Sequence, residues 1–326
     1  MFSYTANNLR KINISVLLSC FIFGVVFQSL LAISQYFNQG SVGSILYFLG
    51  ERTFNSQTPG IANVSVNGQL FLRPYGTFSH PNVLAGYLVS VLILVKALAK
   101  KNALSKQSLI ISSAILLGSF AIILSMSRAV MFAWIMFLIF LVLRVFWKKT
   151  RISLKKKINL VSLFSKVLLL IVIIIFILIT PFWPRFSQFS FSDQSVSQRE
   201  QLVNDSLMMF KESPILGVGL NNFIVNLPRV QKNLGEQLYL QPAHNIYLLI
   251  LSQGGIFVFL LSMLFIFSTY KKLKNKKTEF YLLFLITLFL GFFDHYFLTL
   301  QQGQILLTLI LGIFWSNGGN DAKIRT

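Results

Sequence analysis

The sequence predicts an all-α fold: a polytopic bundle of about eight transmembrane helices, with one long extracytoplasmic loop that carries short helices of its own. Three observations predict it. The 326 residues are 55% hydrophobic with 33 Phe, and only 12% are charged, about half the charged fraction of a soluble domain. Apolar stretches recur at close to the length of about twenty residues that a membrane-crossing helix needs. Lys and Arg gather in short runs at alternate ends of those stretches, which is a topology signal.

Eight apolar segments satisfy the length criterion, at residues 14–36, 82–99, 108–125, 129–146, 160–180, 246–270, 279–297 and 303–316. The first holds Cys20, the lone cysteine, so neither an intrachain disulfide nor a cysteine-based metal site is available. It lacks a small-residue cleavage site and reads as a retained helix. Residues 42–49 are apolar but too short to cross, and read as interfacial. With the N-terminus in the cytoplasm, 21 of the 29 Lys and Arg fall on the inner side and 8 on the outer. The positive-inside rule then places both termini in the cytoplasm and the long loop outside. The domain expectation is one transmembrane domain over residues 1–326, with the extracytoplasmic loop of residues 181–245 inserted between spans five and six.

The net charge of +20 does not indicate nucleic-acid binding. Its runs, such as Lys155-Lys156-Lys157 and Lys271-Lys272, sit between spans and suit the anionic lipids of an inner leaflet. A basic stripe interleaved with aromatics in a soluble fold is missing. The outer loop itself is balanced, with five basic and five acidic residues, so particular arginines have to do any anion binding there.

Polar signals collect in three regions of the outer face. The first, Arg73-Pro-Tyr-Gly76-Thr-Phe-Ser-His80-Pro81-Asn82, has a turn-rich backbone and leads into the second span. Its plain reading is a helix entry, with His80-Pro81-Asn82 as the cap region. The second is Ser125-Met-Ser127-Arg128, in the tight link between spans three and four. An arginine there either snorkels to the headgroups or meets a lipid phosphate at membrane depth.

The third region is the loop. Ser197-Gln-Arg199-Glu200 reads as a capping box that opens a helix, with Leu202, Val203, Leu207 and Phe210 as its apolar stripe. That start would put Arg199 in the first turn, where the helix dipole disfavours a cation, so an anion ligand is the better reason for it. Pro214-Ile-Leu-Gly217-Val-Gly219 follows as a tight turn, and Gly-x-Gly alone is a weak motif. His244-Asn245 then opens the sixth span. The three histidines, His80, His244 and His295, all map to outer ends of spans. His244 reads equally as a cap or as a general base. Asp294 beside His295 is a weak pair, because neighbouring residues on a helix diverge. Carboxylate clusters, His-x-x-x-His pairs and Walker or Rossmann loops are missing, so neither a metal nor a cofactor is expected.

Taken together, Gly76-Thr-Phe-Ser-His80-Pro81-Asn82, Ser125-Met-Ser127-Arg128, Arg199 with Pro214-Ile-Leu-Gly217-Val-Gly219-Leu-Asn-Asn222-Phe223, and His244-Asn245-Ile-Tyr247 with Gly254-Gly255 resemble the O-antigen ligase and O-antigen polymerase superfamily, the Wzy-type membrane glycosyltransferases. The resemblance spans roughly residues 70–315, although the family usually carries more spans than are counted here. It implies transfer of a glycan from an undecaprenyl diphosphate carrier to an acceptor hydroxyl at the outer face, without metal and with inversion. Carried over to this chain, it makes Arg128 and Arg199 the diphosphate ligands and His244 the base, with Arg73 and His80 as secondary candidates. The implied partners are the polyprenyl-linked donor, a glycan, lipid or protein acceptor, and membrane lipids. Ligase, polymerase and protein O-glycosyltransferase are not separated by these motifs. The rival from another class is a flippase for lipid-linked glycans, which predicts charged or broken span interiors. A second rival is a structural membrane protein whose arginines only anchor it.

Overall fold

The structure is a computed structural model that describes residues 1–66, 68–99, 105–151, 194–231, 240–274 and 276–316. In chain order its elements are α1 (Phe2–Asn8), α2 (Ile14–Asn38), α3 (Ile45–Phe48), the strands β1 (Asn63–Val66) and β2 (Gln69–Leu72), α4 (Pro81–Leu98), α5 (Ser105–Leu124), α6 (Arg128–Arg151), α7 (Gln194–Glu212), α8 (Phe223–Val230), α9 (Ile246–Leu273), α10 (Thr278–Gly291), α11 (Tyr296–Thr299) and α12 (Gln301–Trp315). The fold is mostly helical. Among the described residues, four helices are long and apolar enough to cross a membrane: α2, α4, the Gln107–Leu124 part of α5, and α9. Two shorter apolar helices, α10 and α12, accompany them.

The apolar runs expected at 14–36, 82–99, 108–125 and 246–270 coincide with those four helices, and 129–146 falls within α6. The run at 160–180 lies outside the described residues. The run at 279–297 is not one helix: α10 stops at Gly291. Its end tightens as the Phe292 and Phe293 amides bond to Phe289 O and Leu290 O, and the Asp294 carboxylate takes the His295 amide at 2.8 Å. A side chain that caps the backbone in this way offers the chain an alternative to another helical turn. The stretch at 42–49 contains only the one-turn α3.

The chain divides into two compact units. In the unit Ile14–Gln188, α4 is the central helix. It packs on α2, α5 and α6, and Leu84, Leu88, Leu92, Val95 and most residues between them are buried. A helix apolar on all sides belongs at the centre of a bundle. Trp134 of α6 donates to Ser119 Oγ of α5 at 3.0 Å and stacks on Phe137, which ties those two helices. The hairpin of β1 and β2 is antiparallel, with Asn63 opposite Leu72 and Val66 opposite Gln69. It adds a small sheet that the all-α expectation did not contain.

The second unit comprises Met1–Asn13 and Phe189–Thr326. Here α1 packs on α12, and Phe2, Phe265 and Trp315 form an aromatic cluster. α9 packs on α7, α10 and α12. The Lys276 ammonium donates to Ile313 O at 2.9 Å and Ser316 O at 2.8 Å, and so closes the C-terminal end of α12. A cation there satisfies orphan carbonyls and complements the helix dipole.

Candidate functional site

In the unit Ile14–Gln188, two glutamines one heptad apart on α2 hold the loop around Gly76. Gln35 accepts from the Tyr75 and Gly76 amides and donates to Gly76 O and Glu51 Oε1. Gln28 accepts from the Thr77 amide and donates to Thr77 Oγ1. Glu51, buried, takes the Val42 and Gly43 amides as well. Both glutamines engage the loop from donor and acceptor ends, Gln35 on its backbone and Gln28 on the Thr77 amide and hydroxyl, which leaves the loop little freedom.

That loop delivers Arg73 and His80. Arg73 is buried, with Nε donating to Ser125 O at 2.7 Å and Nη2 to Asn82 Oδ1 at 2.7 Å. Its guanidinium therefore joins the β2–α4 segment to the turn that opens α6. That turn holds Met126 at φ 52° and Ser127, and it ends at the half-buried Arg128, the first residue of α6. His80 is the N-cap of α4: its Nδ1 accepts the Asn82 amide at 3.1 Å, with Pro81 at the first helical position. The helix-entry reading describes His80.

α7 starts earlier than the capping box suggested. It is already helical at Gln194, so Ser197 lies inside it and the exposed Arg199 lies in its second turn. Its buried face is Leu202, Asp205, Ser206 and Met209, whereas Leu207 points outward. Leu202 and Met209 pack with Phe223 and Leu227 of α8, Ala243, and Leu249 of α9. Gln231 donates to Asp205 Oδ2 at 2.6 Å. Burial raises the Asp205 carboxyl above its ordinary range, and the Gln231 bond draws it partly back.

His244 immediately precedes the N-cap of α9. Asn245 is the cap, its Oδ1 accepting from the Tyr247 amide at 2.9 Å and the Leu248 amide at 3.1 Å. The imidazole of His244 is thus spared that duty. Its Nδ1 stands 3.6 Å from Asp294 Oδ1, with side-chain exposures of 21% and 11%, and makes no hydrogen bond. The His295 ring lies 5.1 Å from that of His244, centroid to centroid. Tyr247 Oη donates to Leu288 O at 2.8 Å and its ring packs on Phe292. These two contacts bind the start of α9 to the end of α10 and set Asp294 against His244. The sequence offered Asp294 only its neighbour His295, as a weak pair; the structure sets it against His244, fifty positions away.

Two chemistries are open to such a group. A carboxylate beside one imidazole nitrogen fixes its tautomer and leaves the other nitrogen to accept a proton. Alternatively, His244, Asp294 and His295 bring three donor atoms within 4.8 Å of one another, close enough to hold a metal ion. Two of the three have competing duties. Asp294 Oδ1 takes the His295 amide, and His295 Nδ1 lies 2.5 Å from Thr299 Oγ1.

A family model described as O-antigen ligase matches residues 113–263. This bears out the resemblance read from the motifs. The matched segment contains Arg128, Arg199 and His244, while Arg73, His80 and Asp294 lie beyond it. No curated protein matches the chain. With four helices of spanning length and apolarity among the described residues, the chain is an integral membrane protein, and its residues 113–263 are similar to the O-antigen ligase family.

Proposed function

We propose that this chain, whose residues 113–263 match the O-antigen ligase family, moves a glycan from a polyprenyl (undecaprenyl) diphosphate carrier to an acceptor hydroxyl at the outer face of the bacterial inner membrane. The observation that carries the reading is the His244–Asp294 pair, an imidazole relieved of capping and set 3.6 Å from a mostly buried carboxylate. The Asp294 carboxylate, 3.6 Å from Nδ1, favours the proton on that nitrogen, and Nε2 takes the acceptor proton as the acceptor oxygen attacks the anomeric carbon. The glycosidic C–O bond to the diphosphate breaks, the diphosphate leaves with that electron pair, and the anomeric centre inverts. General base catalysis of this kind supplies roughly 10²–10⁴ in rate.

Arg199 and Arg128 are the proposed diphosphate ligands. A guanidinium matches phosphate oxygens in a bidentate fork and stabilises the charge that builds on the leaving group. Arg199 is exposed on α7, free of burial that would keep it from a ligand. The proposal keeps Arg73 and His80 as supports of the Arg128 turn and the α4 entry, consistent with their hydrogen bonds. It needs no metal or organic cofactor.

A strain lacking the gene tests this when complemented by wild type, His244→Ala or Arg199→Ala at matched membrane levels. Lipid-linked glycans are profiled by mass spectrometry, and their side of the membrane is read in spheroplasts with an impermeant glycosidase. Donor accumulating on the outer face in both variants supports transfer. Accumulation on the cytoplasmic face would make the protein a flippase, and an unchanged pool would rule out a lipid-linked donor.

A further inference from the structure

α9 is not one continuous helix. Gly255 adopts φ 65° and ψ −172°, outside the helical region, within the first half of a span of 28 residues. A break there strands backbone groups that hydrocarbon cannot satisfy. The segment 214–221 bonds to three of them. Ser252 O accepts the Val218 amide at 2.9 Å, Gln253 O accepts the Gly219 amide at 3.0 Å, and the Ile256 amide donates to Pro214 O at 2.8 Å. Gln253 Oε1 takes the Asn221 amide as well. The two backbones touch at Gly217 and Gly255, where a Cβ on either residue would run into the other strand's main chain.

The break lies at a definite depth. From Gly255 to Lys271, the first basic residue of α9, is sixteen residues, about 24 Å of helix. Lys271 and Lys272 mark the headgroup level at that end. The hydrocarbon core is about 30 Å thick, so the break sits roughly 6 Å inside its opposite boundary, and deeper with any tilt. The segment is pinned at that level. Its apolar side chains nevertheless face outward: Ile215, Leu216 and Leu220 are 67, 72 and 73% exposed. Just beyond the break, Phe257 and Leu260 of α9 are exposed too.

From this geometry we propose that residues 214–220 form a re-entrant element whose Ile215, Leu216 and Leu220 are immersed in the hydrocarbon of the bilayer lipids. The occupant of this face is membrane lipid, because the segment is hydrogen-bonded to a spanning helix at that depth and its exposed side chains there are apolar. The inference depends on α9 crossing the membrane, and neither on glycan transfer nor on which side the loop enters from.

Spin-label depth measurement tests it on the full-length protein in lipid nanodiscs free of polyprenyl lipid. Cys20→Ser removes the lone native thiol. Single cysteines replace Ile215, Leu216 and Leu220, with Phe257→Cys as the lipid reference and the exposed Lys211→Cys as the water reference. Oxygen should relax the labels at 215, 216 and 220 several-fold more effectively than a water-soluble nickel chelate, as at 257, while 211 shows the reverse. Nickel-dominated relaxation at 215, 216 and 220, matching 211, would overturn the proposal. Three independent positions guard against one variant that misfolds. Because the readout contains no activity, failure here leaves the glycosyl-transfer reading standing.

Discussion

Nδ1 of His244 faces Oδ1 of Asp294 across 3.6 Å, at the junction where α9 begins and α10 has just ended. Two local decisions of the chain create that relationship. Asn245 caps α9 in place of His244, and α10 stops at Gly291, so that Asp294 is not carried around a further helical turn. The outcome is an imidazole with one nitrogen directed at a carboxylate.

The first prediction concerns metal. If His244 works as a base beside Asp294, transfer by purified protein is unchanged after extensive treatment with EDTA and a zinc chelator. A loss of activity restored by added divalent ion would instead make His244, Asp294 and His295 a metal site.

His80 provides a contrast with His244. Its ring accepts the Asn82 amide as the N-cap of α4, a role asparagine fills well. His80→Asn should therefore retain both melting temperature and transfer activity. His80→Leu should lose about 1 kcal/mol of stability, read as a lower melting temperature in detergent. Abolished activity in a fully stable His80→Asn would make this histidine chemical instead of structural.

Gly217 and Gly255 cross backbone to backbone, both with positive φ, at 66° and 65°. Alanine at either position meets a left-handed conformation that costs about 1–2 kcal/mol and a collision that costs about 1–3 kcal/mol more. Gly217→Ala and Gly255→Ala should each reduce the yield of folded protein on gel filtration. Gly60→Ala is the control: its φ is also positive, but a Cβ there meets open space, so it pays only the conformational part.

Asp205 is a buried acid whose pKa is raised by burial. Its folded form therefore holds a proton more tightly than the unfolded chain does, and stability falls as pH rises from the ordinary carboxylate pKa through the raised one. Asp205→Asn keeps an acceptor for Gln231 and has no charge to desolvate. Its melting temperature should equal or exceed wild type at pH 7, with the advantage shrinking as pH drops below about 4. A clear destabilisation at pH 7 would mean the carboxylate charge is needed.

Much of this molecule is legible in one sequence because hydrocarbon simplifies the code. The apolar runs behind α2, α4, α5 and α9 need no partner to be recognised. The cap at His80 follows from His-Pro-Asn before an apolar run. What escaped depends on contacts between distant residues. Asp294 looked like the neighbour of His295 on a helix; the helix had already ended, and the partner was His244. Gly217 and Gly219 formed a weak motif until Gly255 supplied the crossing strand. Arg73 could be taken for an anion ligand, because nothing near it in sequence names Ser125 O as its acceptor. The hairpin carried its own signal, the Asn67-Gly68 dipeptide between alternating residues, obscured by the stronger apolar runs on either side.

The most direct test of the central claim is the transfer rate of purified protein in proteoliposomes with a polyprenyl-diphosphate-linked glycan and its acceptor, for wild type, His244→Gln and Asp294→Asn. The account predicts that His244→Gln loses roughly 10²–10⁴ in kcat with donor binding retained. Asp294→Asn should lose less and shift the pH at which the rate falls. Wild-type kcat from His244→Gln in a folded, donor-binding protein would contradict the assignment of His244 as the base.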